Sequence, residues 1–400
     1  MTDTPSPLAA TSDDRTPVAA VSAPYQTLTE KTQALLEGIR SWVAFETYSE
    51  NGDDVNALMD HVAAGWRGAG ANVDRVAGRN GFGDHLLVTS PWGADDEPGI
   101  LVLCHLDTVH PRGTLDGALP FRIEGDRAYG PGIYDMKGGA YLAFHAYTEI
   151  VAEMGKTALP LRFCYTSDEE VGSETSREFI IAQSRRAKYV LVTEPARDGG
   201  KIVTGRKGVG RYTLRVEGRA AHAGSRHADG RNAILEMAQQ IVAVQGMTDY
   251  ERGITTNIGL VNGGTAENVV PQFCEATIDT RAETIADAND VDERLRALAP
   301  INADCTVTVA GGINRMPYEK NEGGARLLSH ARQLAAEIGF TLEDMFTGGG
   351  SDGNFTAETV PTLDGLGVDG DGAHTLNEHL FISSLEPRME LQKRLMATLR

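Results

Sequence analysis

The 400-residue chain is long enough for two domains of ordinary size. Hydrophobic residues make up 41% and charged residues 23%, as in a soluble globular protein, and no stretch approaches the roughly 20 apolar residues of a membrane span. A formal net charge of −19 repels nucleic-acid backbones and anionic lipid surfaces, so neither is an expected partner.

Residues 1–25 are rich in Ser, Thr, Pro and Ala, with no basic start and no continuous apolar core, and read as a disordered tail without a secretory signal. From Thr27 to about Gly205, helix-like and strand-like segments alternate. TEKTQALLEGIRSWVAF and DDVNALMDHVAAGWRGAG carry apolar residues at helical spacing, and MKGGAYLAFHAYTEIVAEM reads as a third helix. HLLVTS, GILVLCHL, LPLRFCYTS and KYVLVTE are short apolar runs bounded by turn formers, as buried strands are. This alternation predicts an α/β fold with a mostly parallel, doubly wound sheet.

The texture changes after Gly205. RYTLRVEG alternates in polarity, and helix, two strands, helix and strand follow it, ending at CTVTVAGG. The order βαββαβ is the ferredoxin-like split pattern, so residues 207–315 are expected to form an inserted α+β domain. It divides a discontinuous first domain into residues 26–206 and 316–400. The second part carries a helix, a glycine-rich loop (TGGGSDGNF), an apolar run (TVPTLDGLGV), a loop with His374 and a closing helix. The cysteines Cys104, Cys164, Cys274 and Cys305 lie in apolar stretches without CxxC spacing, which predicts buried free thiols and a cytoplasmic setting.

The chemistry-bearing residues cluster at the ends of predicted strands. His105 and Asp107 close GILVLCHLD two residues apart, so they point the same way while Cys104 points oppositely. Asp135 follows in the glycine-rich YGPGIYDMKGG, Asp168-Glu169-Glu170 follow LPLRFCYTS, and Glu194 ends KYVLVTE. In open α/β sheets, ligands bind beyond the carboxyl ends of the strands, so these distant residues converge on one rim. Imidazole with several carboxylates suits a divalent-metal hydrolase. The three successive acids have a plainer reading as a charged helix N-terminus. In the functional reading, one of them binds metal and its neighbour is a general base. Both readings stay open on the residues alone.

HLDTV, GPGIYDMKGG, TSDEEVGSE, TEP, RAAHAG and GAHTLNE occur in order from about residue 30 to the C-terminus. Together they resemble the M20 family of dinuclear zinc peptidases, nearest the glutamate carboxypeptidase type and also similar to acetylornithine deacetylases and succinyl-diaminopimelate desuccinylases. The resemblance implies a mixed-sheet catalytic domain flanked by helices, with the inserted domain serving as a dimerisation lid. It assigns His105, Asp135, Glu170, Glu194 and His374 as ligands of two divalent ions per chain, with Asp135 bridging and a non-proline cis peptide after it. Zinc is implied, while the oxygen-rich ligands leave cobalt and manganese open. Asp107 would orient His105, and Glu169 would be the general base and acid. The histidine followed four residues later by Glu is His374, with Glu378, which makes His379 a neighbour rather than a ligand.

By the same resemblance His222 reaches a partner subunit's site to stabilise the oxyanion, a task worth about 3 kcal/mol. Asn268 and Arg281 would grip a substrate carboxylate, and Gly349 would line the pocket. Arg281 also reads as a surface ion pair with Asp279. The formal GxGxxG at Gly348, Gly350 and Gly353 is a weak nucleotide signal, since no strong strand precedes it. His61, His85, His110, His145, His227 and His330 have no matching partners and read as structural. The expected enzyme is a homodimeric hydrolase of a small amide substrate, an N-acyl amino acid or dipeptide-like molecule with a free carboxylate. The alternatives are a specialised aryl-amide or conjugated-amide hydrolase, an aminoacylase or deacylase, and a non-catalytic metal-binding dimer.

Overall fold

The computed structural model describes residues 28–94 and 96–400; the expected tail, residues 1–25, lies outside them. Helices α1 (Glu30–Val43) and α2 (Gly52–Gly68) lead into β1 (Asn72–Val76), β2 (His85–Thr89) and β3 (Gly99–His105). The hairpin of β4 (Arg122–Glu124) and β5 (Arg127–Tyr129) precedes α3 (Gly138–Met154) and β6 (Leu161–Thr166). Next come α4 (Arg177–Ser184), β7 (Ala187–Val192) and β8 (Ile202–Arg206). An inserted unit then runs through β9 (Gly208–Glu217), β10 (Ala221–His222), α5 (Ala233–Gln245) and β11 (Thr255–Gly263). It continues with β12 (Val269–Val270), β13 (Phe273–Ala282), α6 (Ile285–Arg296) and β14 (Thr306–Arg315). Helix α7 (Glu322–Ile338), β15 (Asp344–Thr347), β16 (Thr362–Leu363), β17 (Gly370–Asp371), β18 (His379–Phe381) and α8 (Leu385–Thr398) close the chain.

The main sheet has the order β1-β2-β6-β3-β7-β16. Strands β6, β3, β7 and β16 are parallel, whereas β2 runs antiparallel to both β6 and β1. The sheet is therefore mostly parallel with an antiparallel edge, a mixed sheet as the resemblance implied. The loop joining β1 to β2 is too short for a crossover, which requires a dozen or more residues. Strand β1, NVDRV, is mostly exposed at the sheet edge, where charged side chains discourage further pairing.

Every residue of β3 and β6 is buried, because helices cover both sheet faces. Ile100, Val102 and Cys104 join a core with α1, α3 and α8, while Leu101 and Leu103 join a second core with Ile180, Val190 and Val192. Helix α1 is started by Thr29, whose hydroxyl accepts the Thr32 N–H at 3.0 Å, a cap worth about 1 kcal/mol. Its buried Leu35, Leu36, Ile39 and Val43 then recur at helical spacing. Trp66 of α2 is fully enclosed, with Phe163 at 4.5 Å and Tyr147 at 4.8 Å between ring centroids, and its indole N–H donates to the Tyr165 hydroxyl. Truncating it to alanine would cost about 3–5 kcal/mol.

The inserted unit has the expected ferredoxin-like order. Its sheet runs β11-β13-β9-β14, all antiparallel, over a separate core that includes Leu214, Val216, Met237, Ile278 and Leu295. The short strands β10 and β12 form an additional ribbon that the sequence pattern did not disclose. Where the unit leaves and rejoins the main body, Arg206 and Tyr318 exchange backbone hydrogen bonds of 3.0 and 3.1 Å. All four cysteines are free and buried. Among the described residues, no helix is long and apolar enough to cross a membrane.

Candidate active site

Three adjacent parallel strands, β6, β3 and β7, end on the same side of the sheet, with His105 paired to Thr166 and Leu103 to Val192. His105, the 168–170 acids and Glu194 therefore emerge together. Asp135 joins them from a turn behind β5 that needs glycine. Gly132 has a φ of 70°, and a side chain there would meet Thr108 at 2.5 Å. A Cβ on Gly139 would lie 2.1 Å from the carbonyl oxygen of Thr193, so α3 begins in direct contact with the strand end that carries Glu194.

The two carboxylate oxygens of Asp135 face different histidines. Oδ1 lies 3.3 Å from His105 Nε2, and Oδ2 lies 3.5 Å from His374 Nε2. Glu194 Oε1 is 3.7 Å from His105 Nε2, and Glu170 Oε2 is 3.0 Å from His374 Nε2. His379 instead bonds its Nδ1 to the Asn377 carbonyl and packs on Tyr129. His374 holds a left-handed backbone conformation, φ 64°, in a turn of Gly372–Asn377. A non-glycine residue in that region stores of order 1–3 kcal/mol and commonly marks a functional position. The peptide between Asp135 and Met136 is cis.

Asp107 organises the cluster from below. It is fully buried and accepts the Ser49 hydroxyl at 2.7 Å and the backbone N–H groups of Glu169 and Glu170 at 3.2 and 3.1 Å. The backbone carbonyl of Asp107 takes His105 Nδ1 at 3.0 Å, which leaves the Nε2 lone pair directed at the carboxylates. Of the three successive acids, Asp168 clamps its own loop, accepting from Thr175 N–H, Thr175 hydroxyl and Ser176 N–H. Helix α4 starts only at Arg177, so the acids are not its first turn. Glu169 and Glu170 diverge. Glu169 groups with His105 and Glu194, and Glu170 with His105 and Asp135.

Buried carboxylates this close together distort one another. Burial pushes Glu170 up to about 8, with Asp135 and Glu169 adding to the push and His374 opposing it. Burial raises Glu194 well above the usual range, again aided by Asp135 and Glu169. Burial alone would raise Asp135, but the His105 and His374 imidazoles facing its two oxygens hold it well below the usual range. Hydrogen bonds to Asp135 and Glu170 lift His374 to about 11. His105 Nε2 and Glu170 Oε1 are buried without a hydrogen-bond partner. Orphaned donor atoms on mixed imidazole and carboxylate ligands fit a divalent cation.

The other sequence-derived candidates are not in this cluster. His222 is exposed on β10, and its Nδ1 accepts the N–H groups of Gly224 and Ser225 at 3.1 Å, so Nε2 carries the proton. Asn268 lies beside it, its carbonyl accepting the Ala223 N–H at 2.9 Å. Arg281 forms a fork with Asp279 at 2.8 and 2.9 Å, as in its plainer reading. Gly349 is exposed, and its carbonyl receives Arg206 Nη1 at 3.1 Å. Arg206 is itself fully buried against Asp364.

Sequence reasoning missed several supporting residues. Glu378, used only as a spacing mark, accepts the N–H groups of Gly132, Tyr134 and Asp135, each at 3.0 Å, plus His110 Nε2 at 2.6 Å. Its position four residues after His374 was the available signal. Lys137 is fully buried with its ammonium on the Phe45 carbonyl. Arg315 reaches Glu169 from the inserted unit.

A sequence model described as peptidase family M20/M25/M40 matches residues 101–398. Carboxypeptidase G2 of Pseudomonas sp. (strain RS-16) is 29% identical over 384 residues, covering 94% of this chain and 91% of that protein. A succinyl-diaminopimelate desuccinylase of Azoarcus sp. (strain BH72) is 27% identical over 312 residues, covering 74% and 81%. The fold is similar to the M20 family metallo-carboxypeptidase Sso-CP2 of Sulfolobus solfataricus, with a TM-score of 0.71 at 15% identity, covering 92% of this chain and 99% of that one.

Proposed function

The chain belongs to peptidase family M20/M25/M40 and is a hydrolytic enzyme using divalent metal, and from this we propose that it cleaves the amide bond of a small N-acyl amino acid or dipeptide-like substrate bearing a free carboxylate. The observation that carries the reading is Asp135, whose two oxygens face His105 and His374 separately. That arrangement supports a dinuclear centre in which Asp135 would be the shared ligand, with His105 and Glu194 as the residues that would hold one ion and His374 and Glu170 those that would hold the other. We assign zinc, with cobalt and manganese as the competing ions. Bound cations there would supply Lewis-acid polarisation of the scissile carbonyl and acidification of water.

The protein's own groups supply the remainder. Glu169 takes the proton of the attacking water on its carboxylate and delivers it to the departing nitrogen. Asp107 fixes the backbone of Glu169 and Glu170 while setting the tautomer of His105. His222, with its proton already on Nε2, donates to the developing oxyanion. Asn268 and Arg281 take the substrate carboxylate, for which the planar guanidinium is the better partner, and Asp279 holds that guanidinium ready. Gly349 lines the pocket.

His222 is exposed and bonded only locally, which supports its use in the site of a second copy. Ile234, Leu235 and Val242 of α5 and Leu260 and Val261 of β11 are exposed apolar side chains beside an unpaired sheet edge. We therefore propose a homodimer through residues 207–315, with residues 26–206 and 316–400 as the catalytic domain, acting in the cytoplasm. The reading is tested by screening N-acyl amino acids, dipeptides and aryl amides with metal-loaded protein. Turnover abolished by chelation and restored by zinc is expected. No amide hydrolysis across the panel at full metal occupancy would overturn it.

A further inference from the structure

The segment that carries Glu169 belongs to the main body, yet it is gripped from the inserted unit. Arg315, the last residue of β14, is 4% exposed at its side chain and places Nη2 2.9 Å from Glu169 Oε1. The same guanidinium nitrogen also reaches the Glu169 carbonyl at 3.3 Å, the Ser173 hydroxyl at 2.7 Å and Asp352 Oδ1 at 3.2 Å. Arg315 Nε donates to the Ser351 carbonyl at 3.1 Å, and Nη1 donates to Asn314 Oδ1 at 2.9 Å. Two neighbours repeat the connection. Asn314 donates to the Gly172 carbonyl at 2.8 Å, and Arg211 of β9 donates to the Val171 carbonyl. Residues 169–173 are thus held along their length by side chains of the inserted unit's two adjoining strands.

We propose that Arg315 is a positioning residue for proton transfer, fixing the carboxylate of Glu169 from the inserted unit. A carboxylate on a flexible side chain samples several rotamers, and only one presents an oxygen to the water and then to the leaving nitrogen. The guanidinium binds Oε1 and the backbone carbonyl of the same residue, so it restrains both the rotamer and the chain beneath it. Oε2 is left to accept and release the proton. The planar fork matters because, while Nη2 meets Glu169, Ser173 and Asp352, Nε holds the Ser351 carbonyl and Nη1 holds Asn314, a span that a single ammonium nitrogen does not cover. A displacement of about 1 Å in such a group costs on the order of 100-fold in rate. The inserted unit thereby sets the readiness of the base as well as carrying substrate-facing residues.

The inference rests on Glu169 as proton carrier, so Glu169→Gln is measured beside the Arg315 variants. In the full metal-loaded chain with an N-acyl amino acid substrate, Arg315→Met should lower kcat by about 100-fold, with KM changed by no more than about threefold and metal content unchanged. Arg315→Lys keeps a charge beside Asp352 and decides the matter if the Met variant fails to fold; it should lose at least about tenfold in kcat with KM again near normal. Arg315→Ala should regain turnover in low guanidinium chloride and not in equal sodium chloride. Adding Arg315→Lys to Glu169→Gln should cause no further loss. Normal kcat in Arg315→Lys, or a loss confined to KM, would overturn the proposal while leaving Glu169 in place. Normal turnover in Glu169→Gln would instead remove the premise.

Discussion

Glu378 Oε1 accepts the backbone N–H of Asp135 at 3.0 Å, so the bridging candidate is held through its main chain by a residue four positions beyond His374. The same carboxylate takes two further backbone N–H groups and His110. Glu378→Gln replaces one acceptor oxygen by a donor that faces donors. It should destabilise the protein by about 1–3 kcal/mol and weaken metal affinity about 10–100-fold. Thermal unfolding and competition with a chromogenic chelator measure the two effects.

Glu169 and Glu170 are adjacent, but the structure turns them toward different partners. Glu169→Gln should keep its metal and lose about 100- to 10,000-fold in kcat. Glu170→Gln should lose metal as well as activity. Elemental analysis of dialysed protein beside turnover separates them, and metal loss in Glu169→Gln would exchange the two roles.

His374→Ala should lower metal occupancy, whereas His379→Ala should leave it unchanged. His379 bonds to the Asn377 carbonyl and packs on Tyr129 rather than on the carboxylates. The comparison is read by metal titration of both variants.

His222→Ala removes an exposed donor and should reduce kcat about 100-fold with little effect on stability. Mixing it with Glu169→Gln and allowing subunits to exchange should restore part of the activity. Inactive mixtures that demonstrably contain heterodimers would place His222 in its own chain's site.

The inserted unit should have its own pH dependence. Glu236 of α5 accepts the Gln240 amide and the N–H groups of Ile301 and Asn302, each at 2.9 Å. Burial alone would raise its pKa, but these bonds bring it below its ordinary value. A folded-state pKa below the unfolded one adds stability that is present above about pH 4.5 and disappears as pH falls through the folded value. Glu236→Gln should therefore cost about 2 kcal/mol at pH 7 and progressively less in acid. Urea unfolding at several pH values measures the difference.

The sequence disclosed what is local and periodic. Strands β3, β6 and β7 were legible as apolar runs because both sheet faces are covered, and the acids at their ends pointed to a common rim. The antiparallel edge was not legible, since β1 is exposed and lacks an apolar signal. Neither was the β10–β12 ribbon, which has only two residues per strand. The bracing contacts escaped for another reason. Glu378 lies 268 positions from His110, and Arg315 lies 146 positions from Glu169. A lone buried charge has no periodicity, and its partner is supplied only by the tertiary fold. Asp107 was visible because its histidine is two residues away.

On that small ribbon, His222 pairs with Val269, and the residue after it bonds to Asn268. The group proposed to meet the oxyanion and the group proposed to recognise the carboxylate are therefore ratcheted to one another by the backbone. A shift of either should therefore carry the other with it. A substrate stripped of its carboxylate would leave both badly seated, and selectivity would surface as slow turnover of bound molecules more than as weak binding. Analogues differing only in that carboxylate should accordingly separate in kcat under saturating conditions.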